Sequence, residues 1–143
     1  MTGRVRIFIE GTQLEEDGAG IITRAEGEYC SGKDGHILRY YEPGNDKEAG
    51  SDNTVRIAPG RVEMTKKGEN STHMVFDLKK ATHSVYDTQY GSLQFQIDTT
   101  LIHIEESTNQ IILQMEYTLS HYGNSYSKSH ISDNRIKIII TAI

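Results

Sequence analysis

Apolar side chains recur at every second position along most of this chain. Val5, Ile7 and Ile9 share one strand face, and Val55 with Ile57, Val62 with Met64, and Met74 with Phe76 and Leu78 repeat the arrangement. The second half carries it further, through Leu93, Phe95 and Ile97, then Ile111, Leu113, Met115, Tyr117 and Leu119, then Ile136, Ile138 and Ile140. Between them stand Gln94, Gln96, Asp98, Gln114, Glu116, Thr118, Arg135 and Lys137, a face for water. No stretch keeps apolar residues at helical spacing, and no apolar run is long enough to span a bilayer as a helix. So many half-polar strands must close, or nearly close, on themselves to bury their apolar faces and remove their edges. The pattern predicts one all-β domain over residues 1–143, an antiparallel barrel of about eight to ten strands, with no internal repeat.

Turn chemistry falls between the runs. Asp34-Gly35 suits a type I′ hairpin, Pro59-Gly60 a type II turn and Gly123-Asn124 a two-residue connection. The segments from Thr12 to Gly20 and from Gly44 to Asp52 read as polar loops. A Ser107-Thr108-Asn109 loop with Asn109 in the left-handed region pairs Leu101 with Met115 and Ile97 with Leu119. A turn at Gly123-Asn124 pairs Ile111 with Ile136, and it turns Lys128, His130, Ser132 and Asn134 inward unless a bulge near Ser132-Asp133-Asn134 resets the phase.

Charge narrows the partners. Twenty acidic against fifteen basic residues leave a net charge of −5, and basic residues cluster no further than Lys66-Lys67 and Lys79-Lys80, which argues against nucleic acid and anionic membranes. Cys30 is the single cysteine, so an intrachain disulfide is impossible. The N-terminal residues lead directly into alternation without an apolar signal core, giving a cytoplasmic expectation. A transmembrane barrel would show the reverse pattern, apolar outside and polar inside.

The order of several pieces, Gly27-Glu28-Tyr29, Tyr40-Tyr41-Glu42, Val62 to Gly68, Met74-Val75-Phe76-Asp77, Tyr86 to Gly91, and Ser132 to Ile138, resembles the YwiB-like family of small bacterial proteins. Gln89 stands where that family's Thr-Pro-Tyr-Gly turn has proline. The resemblance implies a calycin-like, lipocalin-like β-barrel and brings no established activity.

Catalytic chemistry has no signature. There is no nucleophile elbow, no phosphate-binding glycine loop and no His-x-His, and His103-Ile104-Glu105 is the one same-face His/carboxylate pair at strand spacing. We therefore expect no enzyme, no metal and no cofactor. His73 and His83 read as surface or rim residues. The predicted registers instead line an inner wall with Phe95, Tyr117, His121, Tyr126, Lys128 and His130, apolar with a few convergent polar groups, which suits a small, largely apolar ligand with an anionic group near Lys128 and His130. The alternatives are a filled barrel that acts through its outer surface, and haem binding through His121 or His130. Ile102, Ile104, Ile112 and Ile139 fall on the nominally polar face, with Ile104 opposite Ile112, and so mark a homodimer surface.

Overall fold

The computed structural model describes residues 3–14, 20–44, 47, 49–121 and 129–143. Ten strands run in chain order: β1 (Gly3–Gln13), β2 (Ile21–Gly32), β3 (Gly35–Glu42), β4 (Ser51–Ala58), β5 (Arg61–Lys67), β6 (Ser71–Asp77), β7 (Thr82–Thr88), β8 (Gly91–Glu106), β9 (Gln110–His121) and β10 (Ser129–Ala142). Each is antiparallel to its sequence neighbours, and β1 pairs with β10 to close the barrel. Among the described residues there is no helix, and none that could cross a membrane. The outer wall carries ion pairs such as Arg4–Glu26 at 3.0 Å and Arg135–Glu116 at 2.9 Å, the opposite of a lipid-facing barrel wall.

Strand direction places the links β2–β3, β4–β5, β6–β7 and β8–β9 at one end, the base, and β1–β2, β3–β4, β5–β6, β7–β8 and β9–β10 at the other, the mouth; the three longest, β1–β2, β3–β4 and β9–β10, all lie at the mouth. Gly60 follows Pro59 with φ of +71°, as a type II turn requires. The β2–β3 turn differs from expectation by one residue: Gly32 faces Gly35, so Lys33-Asp34 makes the turn. Asn109 is not left-handed either, since no described residue except glycine has positive φ.

Val5, Ile7, Leu38, Val55, Ile57, Val62, Phe76, Ile97, Ile111, Leu113, Met115, Ile138 and Ile140 form one buried cluster that fills the basal half of the lumen. Below it the base is tied by a chain across the barrel. Burial and the nearby Glu106 carboxylate raise the Tyr29 phenol's pKa; its hydroxyl is hydrogen-bonded with His36 Nδ1, and His36 Nε2 faces the Glu106 carboxylate. Tyr29 and His36 come from β2 and β3, and Glu106 from the far wall, on β8.

Two bulges decide which residues face inward. Between Thr99 and Leu101 the β8–β9 register shifts, so Ile97 faces Leu119 as expected but Ile102, not Leu101, faces Met115. Ile102 and Ile104 thus turn inward and pack on the core, which corrects their expected place on the outer face, and Ile112 faces Glu105 rather than Ile104. The bulge satisfies a phase break in the pattern, because apolar side chains change from odd to even positions across Thr99-Thr100. In β10 the shift lies between His130 and Ser132. Ile136 faces Met115, not Ile111, and His121 faces Ser129; the expected Gly123-Asn124 turn lies outside the described residues.

Gly27 is buried where β2 meets β3, and a Cβ there would lie 2.3 Å from the Arg39 carbonyl oxygen and 2.9 Å from Ile7 Cδ1 and Tyr40 Cβ. Two of those atoms are backbone or its first side-chain carbon, so the contact cannot be relieved by rotamer change. We expect Gly27→Ala to destabilise the barrel by about 2 kcal/mol, within the range for overpacking. Chemical denaturation checks this, and an unchanged midpoint would contradict the packing.

Candidate functional site

Toward the mouth the lumen changes character. Inward positions there are Tyr40 and Glu42 on β3, Ser51 and Asn53 on β4, Lys66 on β5, Thr72 on β6, Ser84 and Tyr86 on β7, Thr99 on β8, Tyr117 on β9, and Ser132 and Asn134 on β10. Ser51, Asn53, Ser84, Ser132 and Asn134 are all buried. Asn53 Nδ2 donates to the Ser51 carbonyl at 3.3 Å and to its hydroxyl at 3.2 Å. Asn134 repeats this with Ser132, at 3.3 and 3.0 Å. Ser84 Oγ donates to the His73 carbonyl at 2.7 Å. Thr99 Oγ1 is buried with no hydrogen-bond partner among the described residues.

Desolvation holds the Tyr40 and Tyr117 hydroxyls neutral, pushing each pKa up to about 12, with the Glu42 carboxylate adding to the effect at Tyr40. Lys66 Nζ lies 3.6 Å from Glu42 Oε2, so the inward cation has a counter-charge. Beside them a cavity of about 150 Å³ opens among Glu42, Ser51, Lys66, Glu69 and Tyr86. It is smaller than the roughly 300–1,000 Å³ that drug-sized ligands occupy.

The residues anticipated for the lumen divide into three groups. Phe95, Tyr117 and His121 face inward, with Phe95 and His121 ring centroids 5.8 Å apart and Tyr117 set edge-on to Phe76 at 4.9 Å. His121 is exposed at the mouth. His130 is the correction: the bulge before Ser132 turns it to the outer wall, where Nε2 lies 3.2 Å from Asp133 Oδ1. Tyr126 and Lys128 lie outside the described residues. His73 and His83 are exposed. Among the described residues no group of three His, Cys, Asp or Glu side chains could hold a metal ion.

Sequence reasoning missed Ser51, Asn53, Lys66 and Tyr86. Asn53 and Ser51 were legible as polar residues in phase with Val55 and Ile57; their burial was not, because it depends on walls that meet only in the closed barrel.

A family model described as "Domain of unknown function (DUF1934)" matches residues 7–138. The chain belongs to this family. Its fold is that of the ywiB protein from Bacillus subtilis, whose crystal structure superposes with a TM-score of 0.78 over 99% of this chain and 93% of that one, at 17% identity. No curated protein matches the chain. The family resemblance read from the residues thus holds, and the DUF1934 barrel places its polar lining at the mouth.

An orphaned hydroxyl costs about 1–3 kcal/mol in protein interiors. Thr99→Val keeps the shape and removes the group, so the variant of this DUF1934 protein should be more stable than the parent by roughly 1 kcal/mol. Calorimetry reads the difference, and a loss of stability would mean that Thr99 Oγ1 is satisfied.

Proposed function

We propose that this chain is a non-enzymatic binding barrel that takes one small polar molecule through its mouth. The observation that carries this reading is the distribution of polarity in the lumen. The basal half is filled by the protein's own apolar side chains and closed below by Tyr29, His36 and Glu106. The upper half buries Ser51, Asn53, Ser84, Ser132 and Asn134 and leaves Thr99 Oγ1 unpaired. A barrel kept only for its shape gains nothing from burying these groups, since apolar residues of equal size would pack without the desolvation cost. The polar lining therefore supports a polar ligand in place of the largely apolar one expected from the alternation, because the apolar part of the lumen is already occupied.

Native mass spectrometry of the purified protein and calorimetric titration with neutral polar, fatty-acid and dicarboxylate compounds test this reading. At least one compound should bind, and Ser51→Phe, which fills the mouth cavity, should weaken binding by roughly tenfold or more while the protein stays folded. No binding across the panel, or binding indifferent to Ser51→Phe, overturns it.

The outer wall supports a second reading, a homodimer. With Ile102 and Ile104 inside, an outer row remains in which Phe8 faces Ile139 and Ile139 faces Ile112, with Glu105 next to Ile112 and Arg24 next to Phe8. The Arg24 guanidinium sits 5.3 Å from the Phe8 ring centroid. This row has a cationic end, an apolar middle and an anionic end, so a second copy docked about a twofold axis sets Arg24 against Glu105 and apolar against apolar. Sedimentation analysis should find a dimer that Ile139→Asp converts to monomer. A parent chain already monomeric at high concentration removes this reading.

A further inference from the structure

Two hairpins on different parts of the wall each set an inward tyrosine opposite an asparagine, with a serine two residues before that asparagine. In β3–β4, Tyr40 faces Asn53 and Leu38 faces Val55, with Ser51 one inward position closer to the mouth. In β9–β10, Tyr117 faces Asn134 and Met115 faces Ile136, with Ser132 closer to the mouth. The tripeptide Ser-Asp-Asn opens β4 at Ser51-Asp52-Asn53 and recurs in β10 at Ser132-Asp133-Asn134, just after the bulge, a recurrence too short to register as a repeat in the sequence. β4 and β10 run in the same direction, so a rotation about the barrel axis relates the two sets; β1 and β2 separate them on one side and β5 to β8 on the other.

We infer that these are two like half-sites, and that the ligand of the mouth is an uncharged molecule presenting hydrogen-bond donors at two separate edges. The inference rests on the binding-barrel reading and deepens it. Each asparagine donates to a backbone carbonyl, which can only accept, so the orientation of the amide is forced: Nδ2 points along its own strand and Oδ1 is left to accept from the lumen. Each neighbouring tyrosine hydroxyl is neutral and can donate or accept. Thr99, whose hydroxyl lacks a partner, faces Tyr117 in the adjoining strand. The charge that reaches this level, Lys66 facing Asn53, is offset by Glu42. Tyr40, Asn53, Thr99, Tyr117 and Asn134 are themselves uncharged, so beside them a charged ligand would lose its hydration without a counter-charge, whereas a neutral one loses little.

The test uses two matched probes, the diketopiperazine cyclo(glycyl-glycine), with N–H donors at opposite edges, and its N,N′-dimethyl analogue, which has none; succinate and laurate are the controls. By calorimetry, cyclo(glycyl-glycine) should bind and the dimethyl compound should bind roughly tenfold more weakly or worse. Asn53→Leu and Asn134→Leu should each weaken binding roughly tenfold without lowering the melting temperature. Tyr40→Phe and Tyr117→Phe, which keep the ring, should weaken it in the same direction and serve if a leucine variant does not fold. An effect confined to one hairpin overturns the two half-sites. Binding of succinate or laurate in preference to cyclo(glycyl-glycine) overturns the ligand class and leaves the binding barrel standing. Binding of none of the four probes overturns the inference, and if the broader panel is also silent it overturns the binding reading with it.

Discussion

The pairing of β1 with β10 is the constraint on which the rest of this structure depends. Nine register pairs from Val5–Ala142 to Gln13–Asn134 join the two ends of the sheet, so every strand has two neighbours and none is a free edge strand. Closure also makes the inner and outer faces unequal. A closed sheet has one enclosed side, and each strand must send alternate residues there whether or not they are apolar. The cluster running from Val5 to Ile140 shows the apolar half of that obligation, and Ser51, Asn53, Ser132 and Asn134 show the polar half.

Because inward and outward alternate strictly, only an extra residue can change a strand's phase. The bulges beside Thr100 and Ile131 flank β9 on its two sides, and they act at the boundary between the apolar and polar parts of the lumen. The first brings Ile102 and Ile104 into the core and keeps His103 outside. The second sends His130 out to Asp133 while Ser132 and Asn134 stay in. A barrel without them would bury an imidazole on each of β8 and β10.

The two ends of the barrel hold different groups. At the base Tyr29, His36 and Glu106 join across the axis. At the mouth a cavity opens beside Ser51 and Lys66, against Pro43, Gly44 and Ala49 of the β3–β4 connection and Glu69 and Asn70 of the β5–β6 one. The binding function proposed for this chain is placed at the mouth because Ser51, Asn53, Ser132 and Asn134 are buried there.

Much of this was legible in the chain alone. Alternation at period two determined the strands, the all-β class and the core residues, because side-chain direction in a strand is a local property. Pro59-Gly60 determined its turn for the same reason. Phe95, Tyr117 and His121 could be assigned inward, because β9 keeps one phase and β8 keeps it as far as Thr99. His130 could not, nor Ile102 and Ile104, because a bulge is chosen by the balance of burial between paired strands. The Tyr29–His36–Glu106 chain and the matched Tyr40–Asn53 and Tyr117–Asn134 pairs lay further out of reach. Their partners stand on different strands, and only the closed tertiary structure decides which of them share a face and a level in the lumen.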